Sequence, residues 1–187
     1  MTYSAWAARL RVPLGFGFAA AYLLVSLPTL SLLIAGGFVA LLGLAVRAVA
    51  AGYIEKSLAL ATAGPFARTR NPLYLGSLML GAGFMIAGGS WVIAMVFIGL
   101  FLLIYLPVMR AEENFLRQKF GPEYDDYARI VPLFLPAVRR YGQGTGSFQW
   151  VRYQANREYN AALGYVAIVI FLIIKLVLRS HGVQVNV

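Results

Sequence analysis

The chain has 187 residues, of which 60% are hydrophobic and only 12% charged, with a mean hydropathy of +0.73. A soluble domain carries about twice that share of charge, so the composition describes an integral membrane protein. The absence of cysteine excludes disulfides, a thiolate nucleophile and a cysteine metal site, and the single His181 leaves no basis for a histidine metal site or a Ser-His pair.

Residues 1–11 read as an interfacial lead, with Tyr3 and Trp6 at headgroup level beside Arg9 and Arg11. Pro13 is placed to start a first span of about 13–26. This apolar run passes directly into a second span without a cleavage site, so it is not read as a signal peptide. Leu27-Pro28-Thr29 forms a tight uncharged turn. The second span, about 30–51, carries Gly36-x-x-x-Ala40, a small-residue pattern that lets helices approach closely, and Arg47 lies near its end.

Residues 52–71 form a polar connection that ends in Arg68-Thr69-Arg70-Asn71-Pro72-Leu73-Tyr74-Leu75-Gly76. Asn71 suits an N-cap, because its side-chain oxygen can accept from the free N–H groups of a first turn. Pro72 suits the first helical position and keeps Asn71 out of the helix. The start of this third span, about 72–87, gathers free N–H groups, two guanidiniums, an amide and a phenol, which suits the anionic or polar end of a small molecule. Gly88-Gly89-Ser90 turns the chain into a fourth span, about 91–109, with a local bend at Pro107. That helix continues past the membrane through Arg110, Glu112 and Glu113 to Phe120. Gly121-Pro122 ends it and opens a short helix with acidic residues in its first turn. Residues 130–150 read as irregular, and a last span covers about 161–178, with Lys175 and Arg179 snorkelling from its end.

The fold class is therefore an all-α, polytopic membrane helical bundle, a single domain with about five transmembrane helices. With the N-terminus cytoplasmic, every one of the 16 Lys and Arg residues except Lys175 and Arg179 falls on the inner side, as do all seven acidic residues. The net charge of +9 flanks hydrophobic spans, so it fits topology and anionic lipid headgroups and not nucleic acid. An antiparallel hairpin of spans three and four brings Arg70, Asn71 and Tyr74 level with Arg110, Glu112 and Glu113. Neighbouring carboxylates lie about 100° apart on a helix, so one faces inward while the other meets Arg or water.

Arg70-Asn71-Pro72-Leu73-Tyr74, a hydrophobic hairpin and then Glu112-Glu113 resembles the Arg-His-Pro-x-Tyr…Glu-Glu signature of the isoprenylcysteine carboxyl methyltransferases and the related phospholipid N-methyltransferases. The run Phe120 to Tyr127, then Arg129-Ile130-Val131-Pro132 and Pro136, is also similar to that family, so the likeness covers about residues 52–136. The resemblance implies S-adenosylmethionine bound at the cytoplasmic end of the bundle and a hydrophobic or lipid acceptor entering from the bilayer. It assigns Arg110 and Glu113 to catalysis. It assigns Phe66, Arg70, Asn71, Pro72, Leu73, Tyr74, Glu112 and Tyr124 to cofactor binding, together with Leu58, Leu60 and Ala61 near the adenine. Asn71 stands where the family has His, and Val108 where the eukaryotic carboxyl methyltransferases have Arg, which argues against a prenylcysteine carboxylate as acceptor. An NADPH-dependent membrane sterol reductase, which carries a similar Arg-x-Pro-x-Tyr stretch, and a non-catalytic scaffold are the alternative readings. The last span, outside the likeness, is left as either a bundle element or a homo-oligomer contact.

Overall fold

The computed structural model describes residues 3–54, 59–142 and 146–181. Among them the chain forms seven α-helices: α1 (Tyr3–Val25), α2 (Leu30–Tyr53), α3 (Pro72–Gly88), α4 (Trp91–Phe120), α5 (Pro122–Ile130), α6 (Trp150–Ala155) and α7 (Tyr159–Ser180), with a 3-10 turn at Gly64–Ala67. Of these, α2, α4 and α7 are long and apolar enough to cross a membrane, while Val12–Val25 and α3 are shorter apolar helices. At about 1.5 Å per residue, α3 is slightly shorter than a hydrocarbon core of roughly 30 Å.

Pro13 does not begin the first helix, as its helix-starting preference suggests. It lies inside α1, which starts at Tyr3; apolar membrane helices tolerate an internal proline where neighbouring groups compensate for the missing donor. The Leu27–Thr29 turn is as expected. Leu27 donates its N–H to the Gly88 carbonyl at 2.8 Å, Pro28 is fully buried, and the Thr29 hydroxyl caps α2 by accepting from Leu32 N–H.

The tightest packing in the bundle is between α2 and α3. A Cβ on Gly36 would overlap the backbone of Gly83 and Ala87, and one on Gly83 would overlap Ala40. The small residues thus bring the two helices to backbone contact, the geometry that favours association where lipid supplies no hydrophobic drive. Gly81 faces elsewhere, under the Phe97 ring of α4. Gly89, at φ 66°, ends α3 in the left-handed conformation that glycine adopts without penalty.

Lys175 departs from the snorkelling expectation. It is 4% exposed, and its Nζ donates to the carbonyls of Leu23 and Leu24, both at 2.7 Å. Those carbonyls belong to the last turn of α1, so a cation from α7 satisfies orphan acceptors at the negative end of a helix dipole. Helix α6 lies between the stretch read as irregular and the last span, where the sequence reading placed no element.

Candidate active site

Helix α3 ends its hairpin with α4 at Asn71, whereas α4 runs on past that level to Phe120 and turns at Gly121 into α5. The chain then returns along 131–141 as an extended strap against residues 67–71. Arg70 N–H donates to the Pro132 carbonyl at 3.0 Å, Ala137 N–H to Arg68 at 2.7 Å and Tyr141 N–H to Ala67 at 2.8 Å. The Thr69 hydroxyl donates to the Phe134 carbonyl at 2.7 Å and Asn71 Nδ2 to the Leu133 carbonyl at 2.9 Å. Asn71 therefore occupies the N-cap position but makes no side-chain cap bond, because its amide is turned to the strap.

Between α3, α4, α5 and the 59–66 segment lies a cavity of about 630 Å³, within the roughly 300–1,000 Å³ of small-molecule sites. Phe66, Arg70, Asn71, Pro72, Leu73, Tyr74, Glu112, Glu113, Leu60, Ala61 and Tyr124 all line it. Leu58 lies outside the described residues. Arg110 is not brought to the cavity. It is exposed and lines a separate groove with Leu106, Pro107 and Asn114, because two residues along α4 from Glu112 is a rotation of about 200°.

The two carboxylates are held differently. Glu113 Oε1 accepts from Arg70 Nη1 at 2.5 Å and lies 3.5 Å from Arg117 Nη2, one turn further along α4. Glu112, on the exposed side of α4, accepts from the Tyr74 hydroxyl at 3.1 Å. Both line the cavity, so the expectation that only one faces inward is too narrow; the cavity spans the 100° between them. Arg70 also donates from Nη1 to the Tyr124 hydroxyl at 3.1 Å, yet its buried Nε has no hydrogen-bond partner. A buried, unpaired guanidinium N–H is costly unless a ligand supplies the acceptor.

Tyr124 and Tyr127 form the floor and pack onto Val131, all three at most 2% exposed. The Tyr127 hydroxyl donates to the Phe66 carbonyl at 2.7 Å, tying α5 to the 3-10 turn. Burial pushes the Tyr127 phenol well above its ordinary range. Burial also raises that of Tyr124, against the lowering effect of Arg70.

Among the lining residues that sequence reasoning missed, Tyr105 and Arg47 stand out. Tyr105 packs edge-on against Tyr74, with ring centroids 5.5 Å apart; it lies two turns before Glu112 on α4, a spacing that places both on one face. Arg47 of α2 reaches the same cavity, and no local pattern marked it.

A cavity lined by polar and aromatic side chains thus sits at the end of the α3–α4 hairpin of a membrane helical bundle. Residues 27–123, just over half of the chain, match the phospholipid methyltransferase family, and the chain belongs to that family. It is 35% identical over 101 residues to the nickel-cobalt-cadmium resistance protein NccN of Alcaligenes xylosoxydans xylosoxydans, covering 51% of this chain and 47% of that protein. It is 36% identical over 105 residues to the cobalt-zinc-cadmium resistance protein CzcN of Cupriavidus metallidurans, covering 54% and 47%. The chain thus spans about half the length of these curated relatives. No solved structure matches it.

Proposed function

We propose that the chain is an S-adenosylmethionine-dependent methyltransferase acting on a hydrophobic or lipid-like acceptor, with its cavity on the cytoplasmic side. Family membership supports a membrane methyltransferase with a lipid-like substrate. The observation that carries the cofactor reading is the buried, unpartnered Nε of Arg70, on the same cavity wall as the N-terminus of α3 and the Glu112 carboxylate.

These groups fit the cofactor's aminoacyl end. Arg70 and the α3 N-terminus would hold its carboxylate, and Glu112 its ammonium. Phe66, Tyr74 and Tyr124 present aromatic faces suited to a sulfonium by cation–π attraction. S-Adenosylmethionine, when bound, supplies an activated methyl group with an excellent leaving group. The chain's own contribution is then to hold the reactants in line and keep water out, work that needs neither a nucleophilic side chain nor a metal. Glu113, matched by Arg70, orients that guanidinium. Arg110 is placed to meet lipid headgroups. The cytoplasmic assignment rests on the basic residues that flank the spans on the cavity side.

Calorimetry of the detergent-purified chain with S-adenosylhomocysteine and with NADPH tests this reading. Saturable binding of the first and not the second is expected, together with transfer of radiolabelled methyl from S-adenosylmethionine into extracted membrane lipid. Binding of NADPH alone would overturn it in favour of the reductase, and binding of neither in favour of the scaffold.

A further inference from the structure

The cavity has a second end, deeper along α3, lined by Arg47, Leu73, Ser77 and Tyr105. Arg47 lies across Gly76, where an added Cβ would come within 2.6 Å of Arg47 Cγ. The glycine that closes the Arg68–Gly76 stretch thus makes room for an arginine from another helix. Beyond it the guanidinium contacts the Ser77 hydroxyl through Nη1, and the Ser77 hydroxyl donates to the Leu73 carbonyl at 2.8 Å.

Nη1 also reaches the Leu73 carbonyl at 3.5 Å, and Nε and Nη2 are bound by Glu158, 111 residues away and beyond the family-matched part of the chain. Nε donates to Oε2 at 3.0 Å and Nη2 to Oε1 at 2.5 Å, a two-pronged pair with Glu158 8% exposed. Glu158 is presented by a corner built for it. Arg157 holds a left-handed φ of 54°, a strained conformation for a non-glycine residue. Asn156 Nδ2 donates to the Ala51 carbonyl at 2.9 Å and Gln149 N–H to Gly52 at 3.0 Å, clasping this corner onto the end of α2.

The consequence is electrostatic. The guanidinium at the deep end is already neutralised by a buried carboxylate, and an incoming anion would have to displace Glu158 from a bidentate pair. An uncharged oxygen has only to accept from the one Nη2 N–H that Glu158, Ser77 and Leu73 leave unused. The geometry points to Arg47 and Glu158 as specificity-determining residues for the acceptor: the deep end takes an uncharged polar head, such as a hydroxyl or ester, and rejects a carboxylate or phosphate anion. This rests on the proposal that a lipid-like acceptor enters this cavity.

Two lipids that share an oleoyl chain and differ in head charge test it. 1-Monoolein and oleate would compete for the detergent-solubilised chain, with bound lipid read by native mass spectrometry. The wild type should retain monoolein over oleate. Glu158→Gln, which unmasks Arg47, should shift the ratio toward oleate at least tenfold. The double variant Arg47→Gln/Glu158→Gln should lose discrimination without that gain. A Glu158→Gln ratio equal to the wild type would overturn the assignment. If Glu158→Gln does not fold, Glu158→Asp is one methylene too short to hold both Nε and Nη2, so an anion has only a single-pronged contact to displace and the ratio should move in the same direction, by less; no movement overturns the assignment equally. Titration of the same samples with S-adenosylhomocysteine reads the cofactor separately. Its failure to bind would overturn the methyltransferase reading while the lipid ratio still decided the role of Glu158.

Discussion

Arg70 of the polar connection and Glu113 of α4 are 43 residues apart and meet at 2.5 Å across the α3–α4 hairpin. Their side chains are only 12% and 17% exposed. Removing one charge from such a pair strands the other in a poorly solvated place, whereas the neighbouring Glu112 accepts from the neutral Tyr74 hydroxyl and stands on the exposed side.

The two adjacent glutamates should therefore separate in their effects. Glu113→Gln should lower stability by about 1.5–3 kcal/mol, the usual worth of a hydrogen bond to a charged group, seen as a lower melting temperature in detergent. Glu112→Gln should leave the melting temperature nearly unchanged and weaken S-adenosylhomocysteine binding at least tenfold. The opposite pattern would mean that Glu113 holds the ligand and Glu112 the fold.

The unpartnered Nε of Arg70 makes a prediction about ligand carboxylates. S-Adenosylhomocysteine and 5′-methylthioadenosine share the thioether and the nucleoside, and only the first carries an aminoacyl group. The wild type should prefer the first. Arg70→Lys keeps the charge but loses the planar fork, so it should shrink that preference about tenfold while binding of the second changes little. Equal losses for both ligands in a calorimetric titration would place Arg70 outside the ligand's reach.

The hairpin stations were legible because their signals are local: a proline that fixes a helix start, uncharged turns that fix hairpin length, and a Gly-Pro stop at 121–122. The side-chain partners were not. Asn71 bears the residue type of a cap yet is claimed by Leu133 on a strap 62 residues later. Arg110 sits beside Glu112 in sequence but about 200° away around α4. Lys175 resembles a snorkelling residue until α1 is seen to end beside it, and the pairing of Arg47 with Glu158 spans 111 residues with no periodicity to announce it. Helix boundaries follow from short-range chemistry, whereas the cavity depends on which distant helix ends come together.

The α2–α3 crossing makes a packing prediction. Gly36→Val should drive a side chain into the backbone of α3, where overpacking costs typically 1–3 kcal/mol and more against a rigid neighbour. It should reduce the yield of monodisperse protein. Gly99→Ala on α4, where an added Cβ meets nothing within 4 Å, should be neutral or raise stability by about 0.5–1 kcal/mol through helix propensity. Size-exclusion profiles and melting temperatures of the two variants compare them directly.

Lys175→Met should remove the cation that caps α1 while keeping the apolar stem. Interactions of a charge with a helix end reach about 2 kcal/mol when partly buried; the Leu24 carbonyl would lose its donor and the Leu23 carbonyl would keep only the Ser26 hydroxyl. Faster amide exchange in the last turn of α1 is expected, with little change at the cavity. Arg179→Met, at an exposed position, should leave α1 unaffected; equal exchange in both variants would show that Lys175 does not hold that helix.

The floor of the cavity carries an alkaline dependence. Burial raises the Tyr127 phenol above its unfolded value of about 10, so the neutral form is the one the fold favours. Its contribution is fully present below pH 10 and is lost as pH climbs from there toward the raised folded value, since the unfolded chain releases the proton first. Detergent melts should accordingly fall more steeply above pH 10 than below it. Tyr127→Phe should cost about 1 kcal/mol at neutral pH by leaving the Phe66 carbonyl without its donor, and should flatten the alkaline fall. Tyr124, raised in the same direction, accounts for the part of the fall that survives. If Tyr127→Phe melted with the same alkaline slope as the wild type, the phenol would have to be ionising in solvent and not within the floor.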